Sequence, residues 1–123
     1  MNALPHLLLV GLGGGLGSML RFGLGRWIAQ GALPWGTIVA NILGSILIGM
    51  VMARTGPTGT DDAHWQSFMA VGFCGGFTTF SSFSWQTLEQ LRSGHAGLAF
   101  GHVLLSVVLC LGAVWLGWKL GRI

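Results

Sequence analysis

A chain of 123 residues with 52% hydrophobic and only 7% charged residues lacks the polar surface of a soluble domain, where about a quarter of residues are charged. Its net charge of +3 comes from six scattered basic residues that form no patch for nucleic acid. The composition places it in a lipid bilayer as a single all-α membrane domain.

Crossing the hydrocarbon core takes about 20 mostly apolar residues in a helix. Four stretches qualify, roughly 4–28, 35–53, 65–90 and 96–118. Trp27, Trp35, Trp65, Trp115 and Trp118 stand near the expected helix ends, where Trp favours the membrane interface; Trp85 is the exception. In the first stretch no Lys or Arg precedes Leu7–Val10, and Gly11–Gly17 is too rich in glycine for a secretory core, so this helix is expected to be retained. Those glycines do not match G-x-G-x-x-G, and no acidic residue follows at the distance a dinucleotide site needs. They read instead as Gly-xxx-Gly faces for close helix packing, repeated at Gly72/Gly76, Gly97/Gly101 and Gly117/Gly121. Late in the helix, Arg21 either snorkels to the interface or supplies positive potential to an aqueous vestibule.

The second stretch opens "WGTIVAN", with Thr37 one turn before Asn41 on the same face. An amide inside a membrane is either packing glue or part of a polar path. The third stretch has no Asp, Glu, Lys or Arg from Trp65 to Leu88, yet is interrupted by "GFCGGFTTFSSF". Its glycine pair predicts a broken helix over Gly75–Thr78, tolerated only where protein or a cavity covers the freed backbone. Freed carbonyls suit a cation and freed N–H groups an anion. Phe77, Phe80 and Phe83, three apart, are expected on one face, either as packing or with their positive ring edges turned to an anion. In the fourth stretch His102, Ser106 and Cys110 recur at i, i+4 and i+8 as a polar stripe. Cys74 and Cys110 both fall within spans, which argues against a disulfide framework or a zinc site.

With four spans, Arg54, Lys119 and Arg122 face one side and Arg21, Arg26 and Arg92 the other. This balance gives insertion no preferred direction and allows an antiparallel homodimer. No acidic residue lies deep in a span: Asp61 and Asp62 fall in the second connection and Glu89 near the end of the third span. A proton-coupled exporter normally needs such a carboxylate. Asn amide, hydroxyls and backbone N–H groups remain, donors without charge that suit a small, strongly hydrated anion.

The segment "GFCGGFTTFSSFS", with Arg21 late in the first helix and "GTIVAN" opening the second, resembles the signature of the Fluc (CrcB) family of fluoride channels. The resemblance spans the chain and implies a passive channel, not an enzyme, that releases cytoplasmic fluoride across the inner (plasma) membrane. It implies an antiparallel dual-topology homodimer with two pores at the subunit interface and a structural sodium ion (Na+) on its axis. By position, Phe80 and Phe83 resemble the pore phenylalanines, and Asn41 matches the amide that contacts fluoride. Thr37, Ser81, Ser82 and Ser106 fall along the pathway, with Arg21 at a vestibule. Gly75 and Thr78 fall where backbone carbonyls of both subunits hold sodium. His102 stands where some members have Tyr, Cys110 where a hydroxyl is usual, and Gln86 where Glu is frequent. The alternatives are a small multidrug-type proton-coupled exporter, which would need a carboxylate in the first helix, and a structural membrane subunit.

Overall fold

The computed structural model describes residues 2–29, 31–56 and 62–123, so Asp61 lies outside them. These residues form α1 (Leu4–Trp27), α2 (Trp35–Thr55), α3 (Ala63–Gln66), a π-helical stretch (Ser67–Cys74), α4 (Gly75–Phe77), α5 (Phe80–Arg92) and α6 (Ala96–Gly121). Helices α1, α2 and α6, of 24, 21 and 26 residues, are long and apolar enough to cross a membrane. The chain is thus an all-helical, multi-pass membrane protein. The segment expected as a further span, 65–90, is divided between shorter pieces, interrupted after Phe77.

Local chemistry sets the helix ends. Pro5 sits in the first turn of α1, where a missing N–H costs nothing, and Pro34 precedes α2. Gly56 (φ 70°) ends α2 and Gly94 (φ 82°) makes the turn from α5 to α6, both in a left-handed conformation that a Cβ disfavours. A hydroxyl braces the end of α2: Thr55 Oγ1 donates to Val51 O at 2.9 Å, and Gln66 Nε2 donates to both Thr55 Oγ1 (2.8 Å) and Gly56 O (2.6 Å).

Two close-packed layers position everything else. Between lipid-soluble helices no hydrophobic driving force remains, so association depends on close backbone approach. On α1, a Cβ at Gly13 would meet Phe68 O and Phe73 N, and one at Gly17 would meet Phe73 O and Phe77 N. From the other side, Gly72 and Gly76 lie against Gly14. Helices α2 and α6 interlock likewise, with Gly49 against Val114 and Trp118 and with Gly117 against Ile46. The expected pairs at 72/76 and 117/121 are therefore used within the chain. Among the described residues nothing lies within 4 Å of a Cβ added at Gly97, Gly101, Gly11 or Gly15. Spacing shows that a helix face is smooth, not which way it points.

Gly13→Ala would press a methyl into main chain that cannot swing aside, with an expected loss of about 1–3 kcal/mol of stability. Gly15→Ala, in open space, is expected to leave stability unchanged or raise it slightly through helix propensity. Thermal unfolding in detergent checks the pair; equal midpoints would contradict this packing.

Candidate functional site

The interruption after α4 lies in two threonines. Thr78 (φ −89°, ψ 159°) and Thr79 (φ −151°, ψ 114°) are extended, while Gly75, Gly76 and Phe77 remain helical. The glycine pair is thus not where the helix unwinds, a correction to the expected break over Gly75–Thr78. Gly76 lacks a side chain because α1 passes against it at Gly14. The threonines are β-branched, which disfavours the helix, and their hydroxyls bond to neighbouring main-chain groups. Thr78 Oγ1 donates to Cys74 O at 2.7 Å, and Thr79 Oγ1 accepts from Ser82 N–H at 3.1 Å as the cap of α5.

A single side chain from α2 pairs the extended backbone. Asn41 Oδ1 accepts from Thr79 N–H at 2.8 Å and Asn41 Nδ2 donates to Thr79 O at 3.2 Å. The amide thus satisfies both main-chain groups of one residue and keeps one Nδ2 hydrogen free. Ser18 Oγ (3.4 Å) and Arg21 Nε (3.2 Å) donate to Gly76 O, so α1 closes the end of the first half-helix. Arg21 also lines a cavity of about 610 Å³ with Arg26, Thr37, Thr79 and Gln86. Gln86 Nε2 donates to Thr37 Oγ1 at 2.9 Å in its wall.

On the other side of Thr79 lies a groove of about 340 Å³ whose lining includes Asn41, Thr78, Phe80, Phe83, Ser106 and Cys110. Among the described residues no charged side chain lines it. Phe80 and Phe83 are 5.4 Å apart between ring centres, and Phe83 lies 4.9 Å from the His102 ring. Phe77 does not join this face: its ring stacks on Phe73 at 5.8 Å. The extended threonines reset the helical phase between Phe77 and Phe80, which the uniform three-residue spacing does not anticipate. Ser106 is buried, and its Oγ has no partner among the described residues. Cys74 is buried and Cys110 half-buried, both as free thiols.

His102 is fully buried but is not part of the groove lining. Thr87 Oγ1 lies 2.8 Å from Phe83 O, to which it can donate, and 3.3 Å from His102 Nδ1, a contact whose direction follows the ring's tautomer. The other ring nitrogen, Nε2, is buried and has no hydrogen-bond partner among the described residues. Ser81 is exposed, with its hydroxyl 3.3 Å from Thr79 Oγ1, and Ser82 contributes its N–H to the cap.

The break leaves main-chain groups of both signs. Among the described residues no hydrogen bond reaches the carbonyls of Gly75, Phe77 or Thr78. The helical donor for Gly75, Thr79 N–H, is taken by Asn41, and that for Thr78, Ser82 N–H, is taken by Thr79 Oγ1. Neutral oxygens of this kind match a hard monovalent cation, so the residues fit sodium, although one chain supplies too few to enclose it. The N–H groups of Phe80 and Ser81, at the start of α5, are likewise without carbonyl partners.

Thr79 organises this site, and sequence reasoning passed over it. It lines both cavities, caps α5 and receives the Asn41 amide. A hydroxyl residue immediately before the amphipathic run 80–92 is the signal that identifies a cap. The bonds from Ser18 and Gln86 join distant parts of the chain and leave no local pattern.

A family model described as CrcB-like protein, Camphor Resistance (CrcB), matches residues 8–118. The chain belongs to the CrcB family. Relatives named "Fluoride-specific ion channel FluC" include one from Rhodospirillum rubrum, 52% identical over 115 residues and covering 89% of each chain. Another from Leptospira interrogans is 46% identical over 120 residues, covering 95% of this chain and 94% of its own. One from Thermus thermophilus is 48% identical over 118 residues, covering 93% and 91%. With family members matching nearly end to end, the broken helix and its groove belong to the family domain, not to an appended segment.

Thr79→Val keeps the shape and removes the cap, and is expected to lower stability by about 1 kcal/mol. Thr79→Ser keeps the oxygen and should stay near wild type. Denaturant titration in detergent separates the two; equal stability of both variants would deny Thr79 its capping role.

Proposed function

We propose that this CrcB-family protein is a passive, fluoride-selective channel that lets fluoride leave the cell across the inner (plasma) membrane. The observation that carries the reading is the groove beside the break: it offers hydrogen-bond donors and aromatic edges without a formal charge. The names of the relatives supply the ion.

Fluoride is small and holds its water tightly, so a path must replace hydration without trapping the ion. Arg21 and Arg26 give the 610 Å³ cavity a positive potential that gathers anions from water. Thr79 joins this vestibule to the groove. There the free Asn41 Nδ2 hydrogen, the Ser106 hydroxyl and the edges of Phe80 and Phe83 take the place of water. A fixed cation in the groove would hold the ion too long, and a carboxylate would repel it. Cys110 continues the path with a weak S–H donor. His102 packs its ring against Phe83 from outside the groove lining.

The working unit in this proposal is an antiparallel homodimer of four-crossing subunits, with α3 to α5 together making the fourth crossing and two pores at the interface. Two observations support it. Basic residues balance three against three across the expected topology. Gly75 is exposed on the single chain while its carbonyl lacks a donor, a costly state in hydrocarbon unless another copy covers it. Gly75 and Thr78 carbonyls from both copies would hold a sodium ion, which supplies structural charge compensation at the axis.

Purified protein in liposomes loaded with fluoride, followed with a fluoride electrode, tests the function. Fast efflux is expected once valinomycin balances charge, with little release from chloride-loaded vesicles. A proton gradient at fixed membrane potential should drive no accumulation. Absence of efflux from folded, reconstituted protein, or uphill movement driven by protons, would overturn the channel reading.

A further inference from the structure

The far end of the α2–α6 pair gathers positive charge. Arg54, in the last turn of α2, reaches across to donate from Nε to Gly121 O at 3.4 Å. Its guanidinium is thereby held beside the last turn of α6, which carries Lys119 and leads into Arg122. Each α6 cation lies over an aromatic ring one turn earlier: Lys119 Nζ is 5.2 Å from the centre of Trp115, and Arg122 Cζ is 4.5 Å from that of Trp118. Both Trp side chains remain exposed, at 60% and 39%.

Arg54 stands at the negative end of the α2 dipole and Lys119 and Arg122 at that of α6, which favours each cation there, and together they present one positive field to an anion. The Gly117–Ile46 and Gly121–Met50 contacts bring the two helices close together there. Trp side chains favour the level of lipid headgroups, and rings beneath the cations hold the charges at that depth. The described acidic side chain nearest to Arg54 in sequence, Asp62, stands exposed just before α3; the hydrogen bond of Arg54 goes to a carbonyl instead.

We propose that Arg54, Lys119 and Arg122, framed by Trp115 and Trp118, form a binding site for the headgroup of an anionic phospholipid. The cations pair with its phosphate while the Trp rings lie against its glycerol and upper acyl chains. The inference rests on the membrane placement of α2 and α6 and is independent of which ion the protein conducts. A soluble anion would find the same cations but gain nothing from the rings.

Native mass spectrometry of protein released from mixed micelles holding equal phosphatidylglycerol and phosphatidylcholine tests it. Wild type is expected to retain phosphatidylglycerol preferentially, with the preference falling about five-fold per cation removed. Arg54→Gln, Lys119→Gln and Arg122→Gln combined should abolish it. Arg92→Gln, at the end of α5 and near the start of α6 rather than its end, should leave it intact, and thermal unfolding verifies that each variant is folded. Equal retention of the two lipids by wild type would overturn the proposal, as would an unchanged preference in the triple variant or the same loss from Arg92→Gln. Displacement of the lipid by about 10 mM inorganic phosphate would also overturn it, since the site would then recognise a free anion.

Discussion

A polypeptide that interrupts a helix inside a membrane must find partners for the main chain it frees, because each unpaired group there costs several kcal/mol. In this protein the two hydrogen bonds between the Asn41 amide and Thr79 meet that requirement for both main-chain groups of Thr79. Once Thr79 is held, its hydroxyl starts α5, and the new helical phase carries Phe80 and Phe83 to the groove while Phe77 stays with Phe73. The groove, the vestibule wall and the unpaired carbonyls all follow from where the chain is allowed to stop being helical.

Glycine provides the rigidity this arrangement needs. Gly13 and Gly17 admit the backbone of Phe68 to Phe77, so the first half-helix is locked to α1 just before the break. The same closeness lets Ser18 and Arg21 reach Gly76 O from α1. Arg21 therefore does two things at once: it ends a half-helix and brings positive charge to the larger cavity. A π-helical stretch, Ser67–Cys74, leads into the break, a form that often accompanies functional sites.

Much of the architecture was legible in the sequence because hydrophobic length is a strong signal. Helices over 4–27, 35–55 and 96–121 agree closely with the apolar stretches. The interruption of the third stretch was legible too, but its position was not. Glycines signal both flexibility and close packing, and only the approach of Gly14 to Gly76 decides between them. The side chains proposed for the path were picked out as polar groups in an apolar context, and by resemblance to a known signature. What the sequence hides is pairing over distance: Asn41 with Thr79, Arg21 with Gly76 and Arg54 with Gly121 are separated by 38, 55 and 67 residues. His102 shows the converse, since its place in the polar stripe was plain but its contact with Thr87 was not.

If the clamped break is an uncharged path for fluoride, the most direct measurement is fluoride efflux from liposomes containing Asn41→Asp. The substitution keeps an acceptor for Thr79 N–H and replaces the Nδ2 donors with a carboxylate oxygen at the groove. Folded Asn41→Asp protein is expected to lose at least ten-fold in fluoride efflux, because a negative charge then stands where the anion must shed water. Efflux equal to wild type from that variant would contradict the account and return Asn41 to a purely structural role.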